Sequence, residues 1–188
     1  MSERTYELMH RAGCAQITVG IESFSEQVRW HMKKKFSNED IDYHLEQCAR
    51  WRIPNVLLLI VGYPTETAED HAQNLLALNK YKHYSDMGVI ALARWGLTMH
   101  VHEDTPIWNL SQDLGITVDQ QGTRESVFDW VSTSNPDLTL KERIRRRLEI
   151  HETGVRLGYA MPNNKKELLT LLSIAKQTHK KIFKIHQS

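Results

Sequence analysis

Two strand ends constrain this chain most. Residues 15–22 and 55–61 each read as a short apolar run, and each run breaks at a glycine-containing turn before a helix. The first ends in Gly20-Ile21-Glu22-Ser23 and the second in Gly62-Tyr63-Pro64-Thr65-Glu66-Thr67. In the first run Ile17, Val19 and Ile21 point one way, and Gln16, Thr18, Gly20 and Glu22 the other. The second is apolar on both faces, the mark of a parallel strand covered on both sides. Helices are expected over 3–12, stopped by Gly13, over 25–34, capped by Ser25, from Ser37 or Asn38 to Trp51, and from Thr67 to Lys82. A third strand spans Val89 to Trp95. Strands alternating with helices give an α/β fold with right-handed crossovers and a parallel sheet. Three strands do not close a barrel. The raw edges predict self-association, or cover from the C-terminal helices.

After Gly96 the pattern changes. A short helix opens at Thr105-Pro106-Ile107-Trp108, and residues 115–135 are irregular, with Val127, Phe128, Trp130 and Val131 as an anchoring patch. Thr139 starts a charged helix to about Leu157, and Pro162-Asn163-Asn164 separates it from a last helix over 165–185. The division expected is a sheet-bearing part over 1–115 and a mainly helical extension over 116–188. The net charge of +1 provides no global field toward nucleic acid or membrane. No apolar run approaches the ~20 residues a bilayer span needs. With two cysteines, Cys14 and Cys48, there is no disulfide framework. The chain reads as cytoplasmic, with both thiols as small buried apolar groups.

Ligands of parallel α/β folds sit at the carboxyl ends of the strands. Glu22 lies there, and its carboxylate could accept from a ribose hydroxyl or an ammonium group. The plainer alternative is that it caps the next helix or pairs with a nearby cation. Gly62 would let a flat ligand approach the backbone. Glu66 and Thr67 begin a helix whose amides and dipole favour acceptors.

Taken together, these motifs resemble the radical S-adenosylmethionine (radical SAM) superfamily. The run from Glu7 through Ala12-Gly13-Cys14 to Gly20-Ile21-Glu22-Ser23 is similar to the family's fourth-strand region, and Val28 and Met32-Lys33-Lys34 fit its following helix. Ile60, Gly62, Pro64, Glu66 and Thr67 match its fifth-strand pattern, from which Leu58 and Thr65 depart by replacing glycines. Thr105-Pro106-Ile107-Trp108 is similar to the segment after its sixth strand. The motif style is that of cobalamin-type members and oxygen-independent coproporphyrinogen oxidases. The resemblance implies the C-terminal portion of a TIM-like partial barrel. It sets Glu22 and Ser23 near the ribose or methionine of SAM, and Ile60 and Gly62 against adenine, with Glu66 beside them. The complete enzyme would use a 4Fe–4S cluster to cleave SAM to a 5′-deoxyadenosyl radical, and cobalamin is a further implied cofactor. The family's three-cysteine motif and its methionine-binding glycine stretch have no counterpart in this sequence. The chain is therefore expected to be part of such an enzyme, inactive alone, whose partner is the missing N-terminal half of the barrel or a second copy. The alternative is a non-catalytic α/β module that binds a nucleotide or a protein.

Other candidates are plainer. His100-x-His102-Glu103-Asp104 could bind a metal, but alternating polar residues near a loop read first as solvated. The run Lys141-Glu142-Arg143-Ile144-Arg145-Arg146-Arg147 could touch phosphates or RNA, yet its acids and its i,i+3 and i,i+4 pairs suggest a solvated helix face. The last helix, with six lysines against Glu167, reads as a packed stripe with a basic outer side. Trp30, Trp51, Trp95, Trp108 and Trp130 are scattered and read as packing residues, not a stacking platform.

Overall fold

The computed structural model describes residues 1–102, 105–117 and 130–160 and the single positions 166, 169, 170 and 173; for residues 91–98 it describes the backbone. The helices are α1 (Glu3–Arg11), α2 (Glu26–His31), α3 (Asn38–Arg50), α4 (Ala68–Lys80), α5 (Lys82–Asp86), α6 (Pro106–Asn109) and α7 (Leu140–Arg156). The strands are β1 (Ile17–Glu22), β2 (Asn55–Val61), β3 (Ile90–Thr98), β4 (Ile116–Thr117) and β5 (Val131–Ser132). Of the expected last helix over 165–185, Lys166, Leu169, Thr170 and Ser173 are described and helical; the rest of it, and the patch residues Val127 and Phe128, lie outside the described residues.

Side-chain caps set the helix starts. Ser25 accepts from the Val28 amide, and Ser37 and Thr67 form capping boxes with Asp40 and Asp70. Each satisfies amides that the first turn leaves without partners. Gly13 ends α1 at φ +76°, where a side chain would be strained. These are the caps and stop that the sequence predicts.

The main sheet has the order β1-β2-β3. β1 and β2 are parallel, from Ile17 opposite Asn55 to Glu22 opposite Leu59, with a register shift between Gly20 and Glu22. The Asn55 amide bonds to Val89 O and the Met99 amide to Val61 O, so β2 and β3 also run start to start and end to end. The α/β class with parallel strands joined by helices is therefore present. β2 is buried except at Leu58 and Ile60, which are half-buried, so its cover thins on one face toward the strand end.

Two compact units share the chain. Unit 1 holds residues 1–60, 67–96 and 150–162, and unit 2 holds 61–66, 97–149 and 163–188. The unit 1 core includes Val28, Leu45, Ile53, Leu57 and Leu78. Its returning segment is fastened by the Tyr159 hydroxyl, which donates to Leu78 O at 2.7 Å. Unit 2 centres on Val101, Trp130 and Leu138, packed by Met99, Ile107, Trp108 and Ile116. A two-stranded antiparallel ladder of β4 and β5 borders it. No described helix is long and apolar enough to cross a membrane.

Candidate functional site

In unit 1 the first strand end is held in an unusual conformation. Glu22 has φ +65°, a region non-glycine residues rarely adopt, and such strain concentrates at functional positions. The bulge swings its carboxylate back beside Gly20, where an added Cβ would stand 2.6 Å from Glu22 Oε1. Glycine is needed there for space. Lys34 Nζ donates to the same oxygen at 2.9 Å. Glu22 thus pairs with a nearby cation, the plainer of its two readings, while its side chain stays 16% exposed.

Ser23 faces inward. It is fully buried, its hydroxyl donates to Asn74 Oδ1 at 3.2 Å, and Asn74 Oδ1 also accepts from the Phe24 amide at 2.7 Å. Ser25 Oγ donates to the buried carboxylate of Asp70. Burial opposes ionisation of Asp70, but the bonds from Ser25 and Thr67 outweigh it and hold the pKa below the ordinary value. These contacts tie the β1 turn to α4. Asn74 was not legible as a partner in the sequence, since nothing in its spacing marks it.

In unit 2 the second strand end is closed by its own glutamate. Gly62 has φ +82°, and its amide donates to Glu66 Oε2 at 3.0 Å. The other oxygen of Glu66 accepts from Arg146 at 2.9 Å. Arg146 also donates to Glu66 O, and Asn135 donates to Pro64 O and Glu66 O. A Cβ on Gly62 would lie 2.6 Å from the stem of Arg143. The space beside this glycine is taken by α7. The Arg143 guanidinium lies 3.8 Å from the Trp130 ring centroid and donates to Trp130 O and Leu138 O.

The basic run of α7 is therefore not a solvated face. Arg143, Arg146 and Arg147 are buried, and only its outer side, with Arg145 bridging Glu142 and Glu149, is the surface network expected. Arg145 and Arg146 hold the Glu142 carboxyl down at about 2. The spacing 143, 146, 147, 150 was the available clue, since Ile150 continues the same stripe into the core.

Among the described residues no group of three His, Cys, Asp or Glu side chains could hold a metal. The His100 and His102 rings lie 5.7 Å apart, and Glu103 and Asp104 fall outside the described residues. Cys48 is buried beside His44 and Asn55, whereas Cys14 is half-buried rather than buried, its thiol donating to Gln16 O. The described residues do not fit a 4Fe–4S cluster.

The fold and its strand ends define an α/β protein with a parallel sheet whose two strand-to-helix turns are separately specialised. Residues 1–76 match the family model of the Radical SAM superfamily, and the matched stretch contains Glu22, Ser23, Ile60, Gly62 and Glu66. A 78-residue stretch is 31% identical to a threonylcarbamoyladenosine tRNA methylthiotransferase of Drosophila pseudoobscura pseudoobscura. That stretch is 40% of this chain and 14% of that protein, so the chain spans a small part of the relative it matches.

Proposed function

We propose that residues 1–76 contribute to the SAM-binding part of a radical SAM enzyme. The observation that carries this is the family match, which contains every candidate ligand-contacting residue. Glu22 is assigned to the ribose hydroxyls or the methionine ammonium, exchanging Lys34 for the ligand. Ser23 fixes the turn through Asn74 and does not contact the ligand with its hydroxyl. Ile60 and Gly62 are assigned to adenine, and Glu66 holds the Gly62 amide and orients that turn. The role proposed for these residues is that of holding SAM. A cluster-bearing segment of barrel would complete the enzyme in the cytoplasm, with a cobalamin domain where the reaction is a methyl transfer or a ring rearrangement.

One observation supports a second reading, a non-catalytic nucleotide or protein module. The polar groups of the second strand end are already satisfied within unit 2, by Glu66, Arg146 and Asn135. Calorimetric titration of SAM into the purified chain, before and after anaerobic iron–sulfur reconstitution, separates the two. SAM binding that Glu22→Gln weakens supports the first reading. Binding that is indifferent to Glu22, or none even when the cluster-bearing half is supplied, leaves the second.

A further inference from the structure

Trp30 breaks the expectation that the tryptophans are packing residues. It is 76% exposed, while its helix buries Val28 and Arg29 on the opposite side. An indole left in water forgoes the burial that its large apolar surface would otherwise gain. The loop that follows is basic: His31, Lys33 and Lys35 are exposed, and Lys34 is engaged by Glu22.

That loop is built and fixed. Lys33 N bonds to Trp30 O and Lys34 N to Arg29 O, the Schellman arrangement that ends a helix. Its left-handed position usually takes glycine, but here Lys33 occupies it at φ +58°. The buried Arg29 guanidinium then pins the loop, donating to Ser23 O at 2.6 Å, Asn38 Oδ1 at 2.9 Å and Phe36 O at 3.3 Å. Of the acids near the loop two are engaged, and Glu39 is exposed. Glu26 accepts from the Asn38 amide and faces Arg29, and Asp40 accepts from Ser37.

We propose that Trp30, Lys33 and Lys35 form a contact surface for single-stranded nucleic acid, with a base stacked on Trp30 and phosphates held by the two lysines. An exposed aromatic side chain together with exposed cations on a pinned loop suits an unpaired strand, because every base has a π-face and every linkage a charge. The surface lies wholly in unit 1 and its argument does not depend on SAM binding.

Fluorescence anisotropy of the full chain with labelled oligouridylate and oligothymidylate of about 12 nucleotides, a length suited to one such surface, tests it. Trp30→Ala is expected to weaken binding about tenfold. Lys35→Gln should lower the slope of log affinity against log salt by about 0.7. Lys33→Gly should weaken binding while raising the urea midpoint, because it relieves the left-handed residue; a merely structural lysine would not couple the two in opposite directions. Preference for uridylate assigns RNA, and equal binding assigns single strands of either kind. No binding of either oligonucleotide at low salt, unchanged affinity in Trp30→Ala and Lys33→Gly, or equal Trp30-dependent binding of oligoglutamate would overturn the proposal.

Discussion

Glu66 and Arg146 meet at 2.9 Å with 0% and 7% of their side chains exposed. The pair joins the turn after β2 to the middle of α7, and Glu66 spends its second oxygen on the Gly62 amide. Removing one partner of a buried pair costs about 3–5 kcal/mol, because a charge is left without compensation. Arg146→Met should therefore lower stability by roughly that amount in urea unfolding. Glu66→Gln should cost less, since its one amide oxygen still serves one of the two donors and Glu142 still pairs with Arg146, although its NH2 then faces the other donor. The reverse order would mean that the pair is not the element holding this turn.

Gly62→Ala should destabilise by at least about 1–2 kcal/mol from the left-handed backbone alone. The added methyl would also press on the Arg143 stem, so Gly62→Ala should cost less in a chain that already carries Arg143→Ala than in the parent chain, although Arg143→Ala is itself destabilising. Additive effects of the two substitutions in thermal unfolding would separate them.

Glu22 and Gly20 predict opposite signs. Glu22→Gly removes a strained side chain and a pair worth about 0–1 kcal/mol, so stability should hold or rise. Gly20→Ala should lower it, because the new Cβ meets the Glu22 carboxylate. If Glu22→Gly clearly destabilises the chain, the strain at Glu22 is not a cost carried for function.

Much of unit 1 was legible in the sequence for a physical reason. Its helices start at Ser25, Ser37 and Thr67, whose side chains cap locally, and its strands follow the alternation of Ile17, Val19 and Ile21. Such signals act over a few residues. Trp30, Arg143, Arg146 and Arg147 were misread, and Arg29 went unread, because burial of a long cationic or aromatic side chain is decided by partners outside its own turn of helix. Arg29 needs Ser23, Phe36 and Asn38, and Arg146 needs Glu66, eighty positions away in the chain. Serine at position 23 was placed at the strand end correctly, but the inward turn of its hydroxyl depends on Asn74.

His44 sets an acid limit. Asn55 donates its amide hydrogens to Ile53 O and Val89 O, so its oxygen accepts from His44 Nε2, and Nδ1 accepts from the Tyr6 hydroxyl. The ring is neutral, and burial pushes its pKa below the ordinary value. The unfolded chain then binds more protons as pH falls below about 6.5. This contribution to stability is full above that pH and is lost as pH falls toward the folded value. Urea midpoints measured from pH 8 down to pH 5 should fall in the wild type. The fall should be shallower in His44→Gln.

The two thiols should react unequally. Cys48 is buried and its pKa is raised by burial, whereas Cys14 is half-buried. A thiol reagent should label Cys14 first and Cys48 only as the chain unfolds. Equal rates under native conditions would contradict the packing around His44.

The chain leaves unit 1 after Gly96 and re-enters it at Ile150, where Tyr159 closes onto Leu78. Unit 1 therefore cannot be finished while the chain is being made until that tyrosine has emerged from the ribosome. The three strands are in place long before their final fastening, and for that interval their protection falls to whatever meets the nascent chain.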